Sequence, residues 1–169
     1  SARHSETGIL VGAPTPALGD SGRPWHNSAL FLAGGKFLAT ENKGFLPPYD
    51  LFNEADYFQP GKTASVVNFK GKSLGVIIGE DLWTPASAKE EALRPSPFLT
   101  KIAARSDLVV ALAAYPFADG WTDKLYRFGA ACARGFRKPF LLVNQVGANE
   151  ELIFAGESFL FNPEGVPLY

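Results

Sequence analysis

An α/β fold built on a mixed sheet with helices on a face is what this sequence predicts, and three observations carry that prediction. The segments DLVVALAA (107–114) and PFLLVNQ (139–145) are almost wholly apolar, as strands buried on both faces are. Between them, residues 122–135 set Leu125, Phe128, Gly129 and Cys132 at steps of three and four, on one helical face. Strand, helix and strand in that order form a parallel unit with a right-handed crossover. Two earlier hairpins are antiparallel, which makes the sheet mixed.

The remaining elements follow in chain order. Residues 8–13 (GILVGA) read as a buried strand, followed by a Pro/Gly-rich loop through Pro24. NSALFLA (27–33) and KFLATEN (36–42) form a hairpin across Gly34-Gly35, a pair suited to a tight primed turn. A loop rich in proline and aromatics comes next, GFLPPYDLFNEADYFQPG. ASVVNF then pairs with SLGVII across Lys70-Gly71-Lys72. Thr84 is placed to cap a helix with Pro85 in its first position, running through ASAKEEALR until Pro95. A short helix is expected near residues 98–105, and the tail SFLFNPEGVPLY reads as a hairpin turning at residues 162–165.

Composition narrows the functional classes. With 46% apolar and 20% charged residues, the chain reads as an ordinary soluble globular domain rather than a disordered one. Its formal net charge of −1 and lack of a basic block point away from nucleic acid and anionic membranes as partners. No apolar run approaches the roughly 20 residues that span a bilayer. The single cysteine, Cys132, excludes an internal disulfide and suits a reducing cytoplasm. There is no methionine, the initiator included, so the 169 residues read as a trimmed chain or a segment of a longer one.

Two stretches carry candidate chemistry. Lys43 opens the aromatic loop; a lysine at a strand end is most often a solvated surface charge. Here it runs into Leu46, Pro47, Tyr49, Phe52, Glu54, Tyr57 and Phe58, a surface able to exclude water around an ion pair. A desolvated lysine can act as an acid or base, or stabilise a developing oxyanion. The second stretch is GVIIGEDLW (75–83), where a buried strand breaks at Gly79 beside Glu80 and Asp81. Two acids in that position commonly cap a helix; they also suit recognition of a substrate ammonium or orientation of a catalytic group. His4 and His26 lack ligand-like spacing, so no metal is assigned. Cys132 in its Ala-Ala-Cys-Ala run reads as a small core residue. Asn144-Gln145-Val146-Gly147, ending a buried strand, reads equally as a polar-ligand contact or as ordinary turn chemistry.

Three segments together resemble the nitrilase (carbon–nitrogen hydrolase) superfamily: KGFLPPYDLFNEADYFQPG at 43–61, GVIIGEDLW at 75–83 and VNQVGANEELIFAGESFLFNPEG at 143–165. The third is similar to the glutaminase domain of glutamine-dependent NAD+ synthetases in particular. The resemblance implies a four-layer α-β-β-α sandwich of mixed sheets. Residues 1–169 would be the central part of one such domain, with the synthetase domain absent. It further implies amide hydrolysis by a Glu-Lys-Cys triad, in which cysteine attacks the carboxamide of glutamine, glutamate is the base and lysine stabilises the oxyanion. Ammonia would then pass to a synthetase domain that uses ATP and Mg2+ to amidate nicotinic acid adenine dinucleotide. The glutaminase domain itself needs no cofactor.

Position by position, the resemblance puts the triad lysine at Lys43 and substrate contacts at Tyr49 and Glu80. It puts the nucleophile at Gly79, where this chain has no side chain. The triad glutamate falls upstream of Ser1, and Ala113-Ala114-Tyr115-Pro116 stands where the branch has a serine-containing stretch that helps hold glutamine. The expectation is an inactive glutaminase unit, cytoplasmic and homo-oligomeric. The alternative is a non-catalytic nitrilase-like module kept for structure or partner binding.

Overall fold

A computed structural model of the chain describes residues 6–18, 22–48, 53–62, 65–149 and 151–169. The first sheet is a three-stranded antiparallel meander of β1 (Gly8–Pro16), β2 (Trp25–Ala33) and β3 (Lys36–Asn42). Gly34 and Gly35 turn β2 into β3 with φ of 56° and 75°, the pair of positive values that a primed turn requires. After the short helix α1 (Glu54–Tyr57), β4 (Val66–Phe69) and β5 (Lys72–Ile78) form the second hairpin. Its turn is Lys70-Gly71 alone, since Phe69 pairs with Lys72; the expected three-residue connection is one residue too long.

The second sheet is mixed. Helix α2 (Pro97–Arg105) leads to β6 (Leu108–Ala113), and α3 (Trp121–Phe136) leads to β7 (Phe140–Asn144). Strands β5, β6 and β7 run parallel in register. After a small separate hairpin of β8 (Val146–Asn149) and β9 (Leu152–Ala155), β10 (Phe159–Phe161) closes the edge antiparallel to β7. The sheet order is β10-β7-β6-β5-β4. The single mixed sheet read from the hairpins is therefore two sheets, only one of them mixed.

Alternation along β5 shows how the layers stack. Val76 and Ile78 point to the first sheet, where they meet Ala29, Phe31 and Ala33 of β2. Ile77 points the other way, to a core shared with Leu99 and Ile102 of α2 and with Leu125, Phe128 and Ala133 of α3. Burying each such aliphatic or aromatic side chain contributes about 1.5–3 kcal/mol, which is why a strand with two apolar faces settles between layers. The described residues thus form three of the four layers expected: sheet, sheet, helices. Cys132 lies in the helix-side core, as its setting implied.

The helix expected after Thr84 is shorter and of another kind, a 3-10 turn at Pro85–Lys89. The Thr84 side chain makes no capping bond. Instead the Ser87 hydroxyl donates to the Thr84 carbonyl (2.7 Å) and accepts the Arg94 N–H (3.0 Å). A serine that bonds locally to main chain competes with the helical ladder, and here it folds the segment back on itself. The genuine cap is Ser96, whose hydroxyl accepts the Leu99 N–H at the start of α2.

No helix among the described residues is long and apolar enough to cross a membrane. Gly75 lets α2 approach β5: a Cβ there would lie 2.2 Å from Ile102 Cγ2. Gly75→Ala should therefore destabilise the fold by about 1–3 kcal/mol. Gly135→Ala, with open space at its Cβ in α3, should stabilise by up to about 1 kcal/mol. Urea denaturation of the two variants checks both signs.

Candidate functional site

The buried strand β5 delivers the chain to Gly79, where a 3-10 turn (Gly79–Leu82) begins. Gly79 has φ of 50°, in the left-handed region that costs an L-residue roughly 1–2 kcal/mol. The turn directs Glu80 at Lys43, which stands just beyond β3 on the first sheet. Lys43 is 3% exposed and its Nζ donates to Glu80 Oε2 (2.5 Å) and to Glu54 Oε1 (2.7 Å) of α1. Asn27 of β2 donates to the other Glu54 oxygen at 3.3 Å. Burial pulls the Lys43 pKa down, but the two carboxylates outweigh it and the net shift is upward. Lys43 is thus a fixed ammonium rather than a proton donor near neutrality.

Asp81, one residue further, ties the turn to the Lys43 loop. Its carboxylate accepts the N–H groups of Gly44 (2.7 Å) and Phe45 (2.6 Å). The Ser96 hydroxyl donates to the Asp81 carbonyl, so the α2 cap and the turn are one unit. Glu80 and Asp81 therefore do not cap a helix; each reaches across to the first sheet's exit loop. Glu41, on the same face of β3 as Lys43 by strand alternation, is also buried and accepts the Ser65 N–H at 2.8 Å.

A cleft of about 490 Å³ opens over Gly79. Lys43, Glu54, Glu80 and Gln145 line it along with apolar groups such as Leu10, Ile78, Leu112 and Val143. A Cβ built on Gly79 would lie 3.1 Å from Lys43 Nζ. Lys43, Gly79 and Glu80 thus converge as the sequence placed them, while Tyr49 lies outside the described residues. Asn144 is used by the frame: its Oδ1 accepts the Tyr115 N–H and its Nδ2 donates to the Gly156 carbonyl, both at 2.8 Å. His26 is likewise occupied, its Nδ1 donating to the Gln59 carbonyl at 2.6 Å. His4 lies outside the described residues.

Sequence reading passed over three of these parts. It took Glu54 only as a member of the aromatic loop, although a buried ammonium demands a counter-charge. Asp81 carried no sign that its partners would be backbone N–H groups from a distant loop. Nor did any local pattern announce the β8–β9 hairpin, which rests on the segment after β6 through the Phe117 N–H to Ile153 carbonyl bond (2.7 Å).

With this geometry in view, comparison with known proteins is informative. A glutamine-dependent NAD(+) synthetase of Synechocystis sp. is 34% identical over 161 residues, covering 93% of this chain and 29% of the relative. Over most of its length the chain is related in sequence to glutamine-dependent NAD+ synthetases. The structure of a glutamine-dependent NAD+ synthetase from Acinetobacter baumannii, in complex with ADP, superimposes with a TM-score of 0.83 at 27% identity. That match covers 99% of this chain and 30% of that one. A carbon–nitrogen hydrolase from Helicobacter pylori G27 shares the fold, with a TM-score of 0.81 at 19% identity, over 99% of this chain and 59% of that one. No family model matches the sequence. The chain spans under a third of the length of the curated relatives it matches.

Two outcomes follow from the site's construction. Gly79→Ala should lower stability by about 1–2 kcal/mol through its positive φ, read as a shifted urea midpoint. The second concerns pH. Burial pushes Glu41 up to about 7, with the Ser65 N–H opposing and the Asp81 charge adding to it. Burial likewise pushes Asp81 up to about 6, against the Gly44 and Phe45 N–H groups and the Lys43 charge. Both carboxyls bind protons more tightly in the folded state. Their contribution to stability is therefore full below the unfolded values of 4.5 and 3.8 and is lost as pH rises through about 7 and about 6. The urea midpoint should be higher at pH 5 than at pH 8, and Glu41→Gln should narrow the difference.

Proposed function

We propose that this chain is a glutaminase-type nitrilase unit of the NAD+ synthetase lineage, with its amide-binding cleft kept and its turnover lost at Gly79. One observation carries the reading: the Cβ position of Gly79 lies 3.1 Å from a buried ammonium, Lys43 Nζ, at the mouth of a cleft. A thiol at that position would attack a carboxamide carbon beside the cation that stabilises the resulting oxyanion. Without it, the remaining groups bind and polarise an amide but form no acyl-enzyme, a loss on the order of 10^5 in rate.

In this reading residues 1–169 are the central part of one nitrilase-like domain, glutamine is the ancestral ligand, and Tyr49 and Glu80 are its contacts. Glu54 and Glu80 hold Lys43 in place and charged. The synthetase domain of the same enzyme is the partner that would receive ammonia, and the assembly is a cytoplasmic homo-oligomer. ATP and Mg2+ serve that synthetase domain. The described residues contain no group of three or more His, Cys, Asp or Glu side chains placed to hold a metal ion.

A second reading, a non-catalytic nitrilase-like module kept for structure or for binding a partner, has its own support. Lys43 is the one cation among the described residues that line the cleft, and it is already engaged by two carboxylates. The α-carboxylate of glutamine has no counter-charge there. Ala113 and Ala114 contribute no hydroxyl to that wall.

The test is Gly79→Cys in the full-length protein, with ammonia release from glutamine as the readout. A rise from background of several orders of magnitude is expected of a silenced glutaminase. A folded Gly79→Cys protein that releases no ammonia would sink the first reading and leave the second.

A further inference from the structure

Beside the cleft lies a second cavity, of about 470 Å³, with an almost wholly apolar wall. It shares part of its wall with the first and is completed by the Pro85–Lys89 turn and α3. Phe45 comes from the Lys43 loop and is held by Asp81 through its N–H. Glu80 and Trp83 come from the 3-10 turn and its exit, Tyr115 from the segment after β6, and Trp121 from the start of α3. Three of these rings form a corner. Trp83 and Trp121 meet edge to face, with centroids 5.6 Å apart and planes at 81°. Tyr115 lies 5.3 Å from Trp83 and 6.2 Å from Trp121, the latter pair also at 81°. Glu80 and Tyr115 line both cavities, so the two are compartments of one site.

Charge decides what such a site would take. Around the shared wall one ammonium, Lys43, faces two carboxylates, Glu54 and Glu80, which leaves one negative charge in excess. Glu80 uses Oε2 for Lys43, and a carboxylate has lone pairs for more than one donor. An aromatic corner favours a flat ring in edge-to-face contact and stabilises a cation near its faces. Lys89, the other charged residue of the second cavity, is exposed at its rim, where salt only partly screens it and it opposes a cation weakly. The geometry points to a binding site for an arylalkylamine, with its ring in the Trp83–Tyr115–Trp121 corner and its ammonium on the Glu80 carboxylate. The inference deepens the second reading of function, that of a module which binds without turnover.

The probe is 2-phenylethylamine, titrated into the full chain and followed by the indole N–H signals of the tryptophans. Trp83 and Trp121 should shift saturably while Trp25, on β2 and outside both cavities, stays still. 3-Phenylpropionate, with a similar ring and the opposite charge, should bind at least tenfold more weakly. Glu80→Gln should weaken the amine by a similar factor. Trp121→Leu should do the same; if it fails to fold, Lys89→Glu at the exposed rim serves instead and should tighten binding. Equal binding of the carboxylate, shifts that include Trp25, or the absence of any saturable shift would each overturn the assignment. Since the measurement uses no turnover, its failure is distinct from the outcome of the Gly79→Cys assay.

Discussion

A buried ammonium is the constraint around which this protein is arranged. Lys43 is all but sealed from water, and a lone charge in such a place is among the most costly things a fold can hold. It is met by Glu54 from α1 and Glu80 from the turn after β5. Each partner comes from a different part of the chain, so satisfying one cation brings together the exit of the first sheet, a short helix and the end of β5 in the second. Asp81 reinforces the same junction through two backbone N–H groups. Removing Lys43 would leave two carboxylates facing each other without their cation, which is why the junction behaves as a unit.

The two-sheet core supplies the rigidity that this junction needs. β5 is covered on both faces, by β2 on one side and by α2 and α3 on the other. Its C-terminal end, where Gly79 sits, is therefore positioned by packing rather than by loop contacts. The parallel neighbours β6 and β7 end beside it, and their exits, Ala113 to Tyr115 and Asn144 to Gln145, furnish one side of the cleft wall, with β1 opposite. Ligand sites at the carboxyl ends of parallel strands follow this logic in open α/β sheets generally.

Much of this was legible in the sequence, for identifiable reasons. The runs at 107–114 and 139–145 and the spacing of Leu125, Phe128 and Cys132 report burial directly, because periodicity is a local property. The turn at Gly34-Gly35 and the place of the second hairpin's turn around Gly71 were readable because positive φ restricts residue choice. What was hidden is non-local. That Ser87 would bond Thr84 and Arg94 and cut short a helix depends on tertiary closure of the loop by the Ser96 N–H to Leu82 carbonyl bond. The separation into two sheets depends on which faces meet, and a hairpin does not encode that by itself. Lys43 and Gly79 were found through resemblance; Glu54 and Glu41 were not, since a buried acid looks in sequence like any surface acid.

Gly79 has one more consequence, for how such a site can change over time. At a φ of 50°, glycine is the one residue for which this elbow carries no steric strain. Any mutation away from it makes the protein less stable before it can make it more active. Glycine here therefore sits in a local well for folding, and any path to a side chain at this elbow begins uphill. The bend selects, by conformational energy alone, for having no side chain at the spot nearest the buried ammonium.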